Sequence, residues 1–380
     1  MRPITLWLLC TSLVGCAPRG TYATKGQPVS VATDVASQSE WRHWTAWVLA
    51  GSSIDPPGQE GLAHLTAKLI ETAGTRSAPT HEARWTATVG HDWTALGLRC
   101  PTSAASACQT HFLRTLAQPE LSDVDVLDAK RASQASQPDH SDPDALLREL
   151  VFEGHGYGHS SAGRAASLSS IDLADIESFH TRQYTRATML FGADAGGETF
   201  GDQIAEVVPS RNAVPPHELS HFLPIRHTQM PVLVIETPGL ALRLRAARVE
   251  VGAPPEAQLP ERWHLSSHEI SYSGEASLLE ALEAWRSRTA MTSETSDTSP
   301  PPSLSTPPGL RTALLEQHRA MHRPQVLHPA NDAPWPWVFV LSGDKDVIHP
   351  MTEALLSSTE ESGGDYVVYP WRMDGPSETR

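Results

Sequence analysis

The sequence predicts an α+β fold built in two halves, and two observations carry this prediction. Strand-forming segments alternate with amphipathic helices along most of the 380 residues. A strand in the middle of the chain runs into Gly192-Ala193-Asp194, and another near its end runs into Gly343-Asp344 in the same way. This repeated ending, together with a connector over 211–229 that contains Pro and His, divides the chain into two halves.

In the first half, local patterns predict strands and helices in a regular order. Residues 41–50 are rich in aromatic and β-forming side chains and stop at Gly51, which is typical of a strand. Between the break at Pro56-Pro57 and Gly74, apolar residues recur at helical spacing, which predicts a helix over 61–75. Further strands are predicted over 92–100 and 188–193, and further helices over 80–89, 104–117, 124–135, 144–152 and 170–184, the last with Ser170 as its N-cap.

The second half shows the same mixture of elements. Residues 230–237 form an apolar, β-branched run that predicts a buried strand, and residues 240–251 alternate as a strand does. Strands are also predicted over 337–342 and 365–370, and helices over 276–288, 310–321 and 347–357. Residues 292–308 are rich in Ser, Thr and Pro, which is typical of a loop or a disordered stretch.

The first sixteen residues have the pattern of an export signal. Arg2 precedes the apolar run 6–14, which is too short to span a bilayer. The sequence Leu13-Val14-Gly15-Cys16 resembles the signal of bacterial lipoproteins, in which the Cys is lipidated and anchors the chain to a membrane. The alternative is an ordinary secretory signal with an incidental Cys.

The lipoprotein interpretation also predicts the ends of the chain and its location. We expect a signal peptide over 1–16, a polar tether over 17–39 and a tail over 372–380. By the same resemblance, Ala17 after the lipidated Cys favours the outer membrane of a bacterial envelope, with the chain facing the periplasm.

Charge and cysteine content narrow the classes of function. The formal net charge is −15 and the acidic residues are scattered, which argues against a nucleic-acid-binding surface. With Cys10 removed and Cys16 lipidated, Cys100 and Cys108 remain. In an oxidising exported compartment, a pair eight residues apart is a disulfide candidate, and two buried thiols are the alternative.

The predicted helix 61–75 carries the candidate ligands. His64 and Lys68 are four residues apart, which places them on one face. In the zinc-protease motif His-x-x-Glu-His, two histidines at this spacing bind the metal and the Glu activates water. Here Ala67 stands at the Glu position and Lys68 at the second His position. Because Ala cannot transfer a proton and an ammonium repels a divalent cation, the general base and the second ligand are both lost.

Three features, in order and at family-like spacing, carry a resemblance to a known family. They are a strand followed by Gly51, Pro56-Pro57 and Gly61-Leu62-Ala63-His64; a Gly156-Tyr157-Gly158 loop followed by Gly163 and Ser167-Leu168; and Ile171-Asp172-Leu173 with Phe179-His180 and Tyr184, followed by a strand and Gly192-Ala193-Asp194. On these residues, the segment from Trp41 to about Ala195 resembles the N-terminal domain of the pitrilysin/insulinase-type zinc metallopeptidases, the inverzincins.

The resemblance implies the architecture of the whole chain. We expect two repeated domains, over 40–210 and 230–371, each a mostly antiparallel sheet with helices packed on it. Such domains enclose a cleft in LuxS-like and processing-peptidase-like folds. The second domain is shortened, because its early helical layer is missing between residues 252 and 263. Within it, Arg262 and Tyr272 are candidates for the Arg and Tyr with which the family grips its substrate.

The resemblance also places the third zinc ligand, a Glu on a helix, near Ala135. Residues 130–137 read KRASQASQ, and the nearest acidic residues are Asp128 and Asp139. The second His, the general base and the distal carboxylate are therefore all replaced. We expect no zinc or other cofactor, unless non-standard ligands complete a site around His64.

Residues on or near the predicted helices have simpler interpretations. His64 is expected to persist as a helix residue between the sheet and solvent. Lys68 is expected to pair with Glu71 rather than to act as a desolvated base. His180, at the end of its predicted helix, is expected to cap that helix or to face solvent.

Two further pairs of histidines share the four-residue spacing. His155 and His159 lie in a loop broken by glycines, so their spacing has no geometric meaning for a metal. His217 and His221 follow two prolines and have no carboxylate near them in sequence. Neither pair predicts a metal site.

Three hypotheses for function follow. The first is a non-catalytic, membrane-tethered relative of the family that binds peptide or pairs with an active zinc-bearing subunit, since members of this family often work as active/inactive pairs. The second is an active zinc metalloendopeptidase with non-standard ligands. The third is an envelope lipoprotein that uses the fold only as a scaffold.

Overall fold

The computed structural model describes residues 31–33, 40–135, 148–149, 152, 156–194, 197–210, 230–236, 242–251, 261, 263–270, 310–314, 316, 338–344, 346–351, 353 and 366–371. The first half contains strands β1 (Val31–Thr33), β2 (Trp41–Val48), β3 (Arg84–Val89), β4 (Thr94–Pro101) and β5 (Met189–Ala193). Its helices are α1 (Leu62–Arg76), α2 (Ala105–Ala117), α3 (Asp123–Ala135), α4 (Ala165–Ser170), α5 (Leu173–Gln183) and α6 (Gly197–Val207). The second half contains strands β6 (Met230–Glu236), β7 (Arg243–Val251), β8 (Trp263–Ile270), β9 (Val338–Gly343) and β10 (Tyr366–Trp371), with helical residues at 310–314 and 346–351.

Each half forms one five-stranded sheet. The first sheet has the order β1-β5-β2-β4-β3, in which only β1 and β5 are parallel neighbours. The second sheet has the order β10-β6-β9-β7-β8, and β6 runs parallel to both of its neighbours. The chain is therefore α+β, as the sequence predicts, with a mainly antiparallel first sheet and a mixed second one.

Four strands of the second sheet repeat the order of the first. The run β6-β9-β7-β8 has the same sequence order and pairing senses as β1-β5-β2-β4. In the first half, residues 49–93 lie between β2 and β4 and include α1 and β3, whereas only residues 252–262 lie between β7 and β8. The second half has no room there for a counterpart of α1, the helix that carries the candidate ligands.

The first sheet is covered on both faces. One face of β2 packs Trp44, Ala46 and Val48 into a core with the helices α1, α2 and α5. The opposite face places Trp47 against residues of the second half, where it shares a buried cluster with Leu310, Leu314, Trp93, Leu190 and Ala32. The two halves are thus joined by apolar packing behind the first sheet.

Several elements differ from the sequence prediction. Residues 80–89 were expected to be helical, but 84–89 form strand β3, because Trp85 is buried against α1 and pairs with Leu98 of β4. Strands β1 and β8 and helix α6 were not predicted. The N-cap of α5 is Asp172 rather than Ser170, and its carboxylate accepts a hydrogen bond from Asp175 N at 2.9 Å.

Helix α1 also runs past its predicted end. Gly74 was expected to terminate it, but the helix continues to Arg76. A Cβ atom at Gly74 would lie 2.4 Å from Trp85 Cε2, so Gly is required there for α1 to approach β3. Within the part of the chain that the structure describes, no helix has the length and apolar character needed to cross a membrane.

Candidate functional site

The start of helix α1 is fixed by the buried carboxyl group of Asp55. Asp55 accepts hydrogen bonds from Gly61 N at 2.7 Å and Ala63 N at 2.9 Å. Burial raises the pKa of Asp55 to about 8, against the opposing effect of these amide donors. Gly61 has a φ of 99°, and a Cβ there would lie 2.8 Å from the side chain of Leu168. The chain is thus turned sharply into the helix that carries His64.

The motif positions of α1 hold a half-buried histidine, a buried alanine and an ion-paired lysine. Ala67 is fully buried in the core, where the motif has its general base. Lys68 Nζ lies 2.7 Å from Glu71 Oε2, so the expected ion pair is confirmed. His64 is half-buried, and burial together with the charge of Lys68 lowers its pKa to about 4. His64 therefore stays neutral at physiological pH beside a cation.

No carboxylate completes a zinc site from the neighbouring helix. Helix α3 packs against α1, and the buried polar side chain on α3 is that of Ser133. Asp128 is exposed and pairs with Arg131 at 3.3 Å. Among the residues that the structure describes, no group of three His, Cys, Asp or Glu side chains is arranged to hold a metal ion. As far as the described residues go, the donor set around His64 does not fit zinc.

A second polar cluster lies where the two halves meet. His91, in the turn between β3 and β4, donates its backbone N–H to Glu261 Oε1 at 3.0 Å, and its Nδ1 lies 3.4 Å from the same oxygen. The His91 ring stacks on Tyr157 with centroids 4.5 Å apart, and Tyr157 donates its hydroxyl to Asp92 at 2.6 Å. The Gly-rich loop of the first half thus packs beside the contact through which the second half docks.

The pKa values of Glu261 and His159 in this cluster are shifted by their surroundings. Burial raises the pKa of Glu261, but the hydrogen bonds and charge of His91 oppose this and hold the pKa below its ordinary value. The pKa of His159 is lowered chiefly by burial and further by the charge of His91, against the opposing effects of the Ser160 carbonyl and of Glu60. His159 Nδ1 lies 3.0 Å from the carbonyl oxygen of Ser160. The described part of this loop is a packing element, with Tyr157 fully buried.

Two other predictions concern buried side chains. Cys100 and Cys108 are fully buried and form a disulfide that joins β4 to α2. The expectation that His180 caps a helix or faces solvent is wrong, because its side chain is 8% exposed. His180 Nε2 lies 2.8 Å from the carbonyl oxygen of Leu116, and its ring stacks on Tyr184.

Several predicted residues lie outside the described part of the chain. They are the lipidation candidate Cys16, the substrate-grip candidates Arg262 and Tyr272, the histidines His155, His217 and His221, and Asp139. Their assignments stay predictions.

Comparison with known proteins identifies the fold. The chain is similar to the crystal structure of a peptidase M16 inactive domain from Pseudomonas fluorescens, with a TM-score of 0.55, 14% identity, and coverage of 84% of this chain and 98% of that one. The chain has an M16 peptidase-like fold.

Weaker likenesses and two negative results complete the comparison. Pitrilysin is similar with a TM-score of 0.46 and 16% identity, over 57% of this chain and 25% of that one. A protease from Helicobacter pylori is similar with a TM-score of 0.47 and 14% identity, over 61% and 62% of the two chains. No family model matches the sequence, and no curated protein matches it.

Sequence reasoning missed two buried polar features of this M16-like fold, the Asp55 cap of α1 and the His91–Glu261 contact. Asp55 stands six residues before the amide it caps, and its position between an isoleucine and two prolines was the available signal. The His91–Glu261 contact joins residues 170 positions apart, so no local sequence pattern predicts it.

Proposed function

We propose that this chain is a non-catalytic M16-like lipoprotein of the bacterial cell envelope that pairs with an active zinc peptidase subunit or binds peptide. The supporting observation is the outer face of α1, where Lys68 is tied to Glu71 at 2.7 Å in the place of a second ligand. Buried Ala67 stands in the place of the general base. Without a base or a second ligand, the several kcal/mol that a Lewis acid supplies to peptide hydrolysis are lost.

The position of β3 supports the peptide-binding part of the proposal. Strand β3 is the outermost strand of the first sheet and pairs only with β4 in the strand order of the described residues. It packs beside α1. An extended peptide can add a strand to such an edge through main-chain hydrogen bonds, and this mode needs no metal.

The membrane part of the proposal rests on the sequence pattern at Cys16. A lipid on that residue would tether the chain to the outer membrane through residues 17–39, on the periplasmic side. Metabolic labelling with a radioactive fatty acid tests this directly, with Cys16→Ser as the control that should lose the label and be released into the soluble fraction. Equal labelling of the two forms would refute the anchor.

The experiment that tests the lack of catalysis measures zinc per chain and cleavage of quenched peptides on the same signal-less protein. We expect no stoichiometric zinc and no chelator-sensitive cleavage. The double variant Ala67→Glu/Lys68→His is the matched positive control, because it places two imidazoles four residues apart on α1 and should raise zinc uptake. One zinc per wild-type chain, with cleavage abolished by His64→Ala, would instead establish an active peptidase with non-standard ligands.

The pairing hypothesis has its own test. Envelope extracts would be crosslinked, and the tagged chain purified and probed for a zinc peptidase of the same fold. A stable complex whose peptidase activity depends on this chain supports pairing. Full activity of that peptidase without the chain would leave peptide binding as the proposed role.

A further inference from the structure

The turn between α5 and β5 contains a buried cation, Arg186, for which the described residues provide no ion-pair partner. Arg186 is 6% exposed, and its backbone N–H donates to the carbonyl oxygen of Pro209 at 3.0 Å, which holds the turn against the end of α6. Its side-chain atoms Nε and Nη1 are buried and have no hydrogen-bond partner among the described residues. The five ion pairs found in that part of the chain involve other cations.

The polar groups beside Arg186 are already occupied. The hydroxyl groups of Thr185 and Thr188 lie 3.1 Å apart, and Thr188 Oγ1 donates to the Thr185 carbonyl at 3.0 Å. The Thr188 carbonyl accepts from Leu49 N at 2.7 Å, which ties the turn to the end of β2. The carbonyl and hydroxyl oxygens of Thr185 and Thr188 are therefore engaged in hydrogen bonds with groups other than the guanidinium.

Arg99, a half-buried arginine of the first sheet, has an aromatic partner that Arg186 does not have among the described residues. The Nε of Arg99 also has no hydrogen-bond partner among the described residues, but its guanidinium carbon lies 4.2 Å from the ring centroid of Trp41. A cation over an aromatic face is stabilised by the ring quadrupole. No such ring contact is found for Arg186 in the described part of the chain.

An unpaired guanidinium cannot relieve its burial by losing a proton, because arginine stays charged in proteins. A buried charge without a partner is strongly unfavourable, and its planar donors match the oxygens of carboxylates and phosphates. We infer that Arg186 is the anchor of a binding site for a small oxyanion, a carboxylate or phosphate group, at the end of the first sheet where β5 begins. This inference is independent of whether the chain cleaves or binds peptides.

The test measures thermal stability and binding stoichiometry of the full chain with sodium phosphate or sodium acetate, at constant ionic strength set with sodium chloride. A ligand that binds only the folded chain raises Tm with its concentration. We expect one or both oxyanions to raise the Tm of the wild-type chain over the chloride baseline. Calorimetric titration should give one site per chain. The arm that responds at lower concentration distinguishes a carboxylate from a phosphate ligand.

The variant Arg186→Met supplies the decisive comparison, because it keeps the length and apolar stem of the side chain and removes the charge. It should lose the oxyanion response and, in chloride alone, be at least as stable as the wild type. Arg76→Met is the control, since Arg76 is half-exposed and already paired with Asp125 at 2.7 Å. It should keep the response.

Three outcomes would overturn the site. They are an equal rise in Tm for wild type and Arg186→Met, no rise for the wild type with either oxyanion, and retention of the calorimetric site in Arg186→Met. If Arg186→Met does not fold, Arg186→Lys takes its place. This variant keeps the charge but not the planar donors, and it should lose at least tenfold in oxyanion affinity; unchanged affinity would count against the site.

Discussion

Four strands of each sheet share one order, but the elements inserted between these strands differ between the two halves. Four strands in each have the same succession and pairing senses, yet the first half inserts α1 and β3 where the second has only residues 252–262. In the first half, this insertion provides the helix with the motif positions and an edge strand. In the second sheet β8 is an edge strand, whereas β4, which holds the same place in the strand order of the first sheet, is flanked by β3.

This difference separates the strands that both halves share from the inserted helix that carries the candidate functional residues. The shared strands supply the core and the pairing, and the inserted helix supplies the candidate chemistry. His64 and Lys68 belong to this insertion and lie outside the four strands that the two sheets share.

The largest effect is expected at the apolar contact that joins the two halves. Trp47 is fully buried on the outer face of the first sheet and shares a cluster with Leu310 and Leu314. Trp47→Ala should cost about 3–5 kcal/mol in the free energy of unfolding, since it removes a large side chain from a closed cluster. Urea unfolding measures the loss.

The same variant shows whether the halves depend on each other. Amide hydrogen exchange should accelerate at 310–314 as well as in β2, because both sides of the contact are opened. Faster exchange in β2 alone, with 310–314 unchanged, would mean that the second half is held by other contacts.

The disulfide comes next and belongs to the first half alone. Removing it by Cys100→Ala/Cys108→Ala should cost about 2–4 kcal/mol, chiefly because the unfolded chain gains freedom. Calorimetry of the oxidised wild type, the reduced wild type and the variant measures the effect, and the last two should agree. A variant as stable as the oxidised wild type would show that β4 and α2 are held by packing alone.

The sequence was sufficient where local pattern and structure coincide. The spacing of His64 and Lys68, the Lys68–Glu71 pair and most strands follow from neighbours in sequence. The prediction of a helix over residues 84–89 was wrong because their strand conformation depends on Trp85. This residue is buried and pairs with Leu98 of β4, which is distant in sequence.

Strands β1 and β8 and the contact between the halves depend on residues far apart in sequence, and local sequence patterns predict them poorly. Strand β1 has only three residues and is defined by its pairing with β5. Strand β8 alternates weakly, with polar residues at both parities. The His91–Glu261 contact forms only when the two halves dock, so no window of sequence contains it.

A smaller effect is expected at the turn into α1, which the second half lacks. Asp55→Ala removes the acceptor of two amide N–H groups and should cost about 1–2 kcal/mol. Burial raises the pKa of Asp55 from 3.8 to about 8, so the folded chain keeps a proton that the unfolded chain releases. The contribution of Asp55 is therefore largest below about pH 4 and declines as the pH rises to about 8.

Unfolding free energies at several pH values test the direction of this dependence. The advantage of the wild type over Asp55→Ala should shrink between about pH 5 and pH 8. An advantage that grows over this range would mean that the helix N-terminus holds Asp55 ionised, and that its amides outweigh burial.

The smallest effect is expected at the polar contact between the halves. Glu261→Gln keeps an acceptor for His91 N but removes the charge, which should cost about 0.5–1 kcal/mol at neutral pH. Because His91 holds the pKa of Glu261 below its ordinary value, this contribution is present above about pH 4.5 and is lost as the pH falls through the lowered value. The exposed Glu269 of β8 is the matched control, and Glu269→Gln should leave the free energy of unfolding at neutral pH nearly unchanged. If the two variants behave alike, the apolar cluster around Trp47 alone docks the halves, and the polar contact only sets their register.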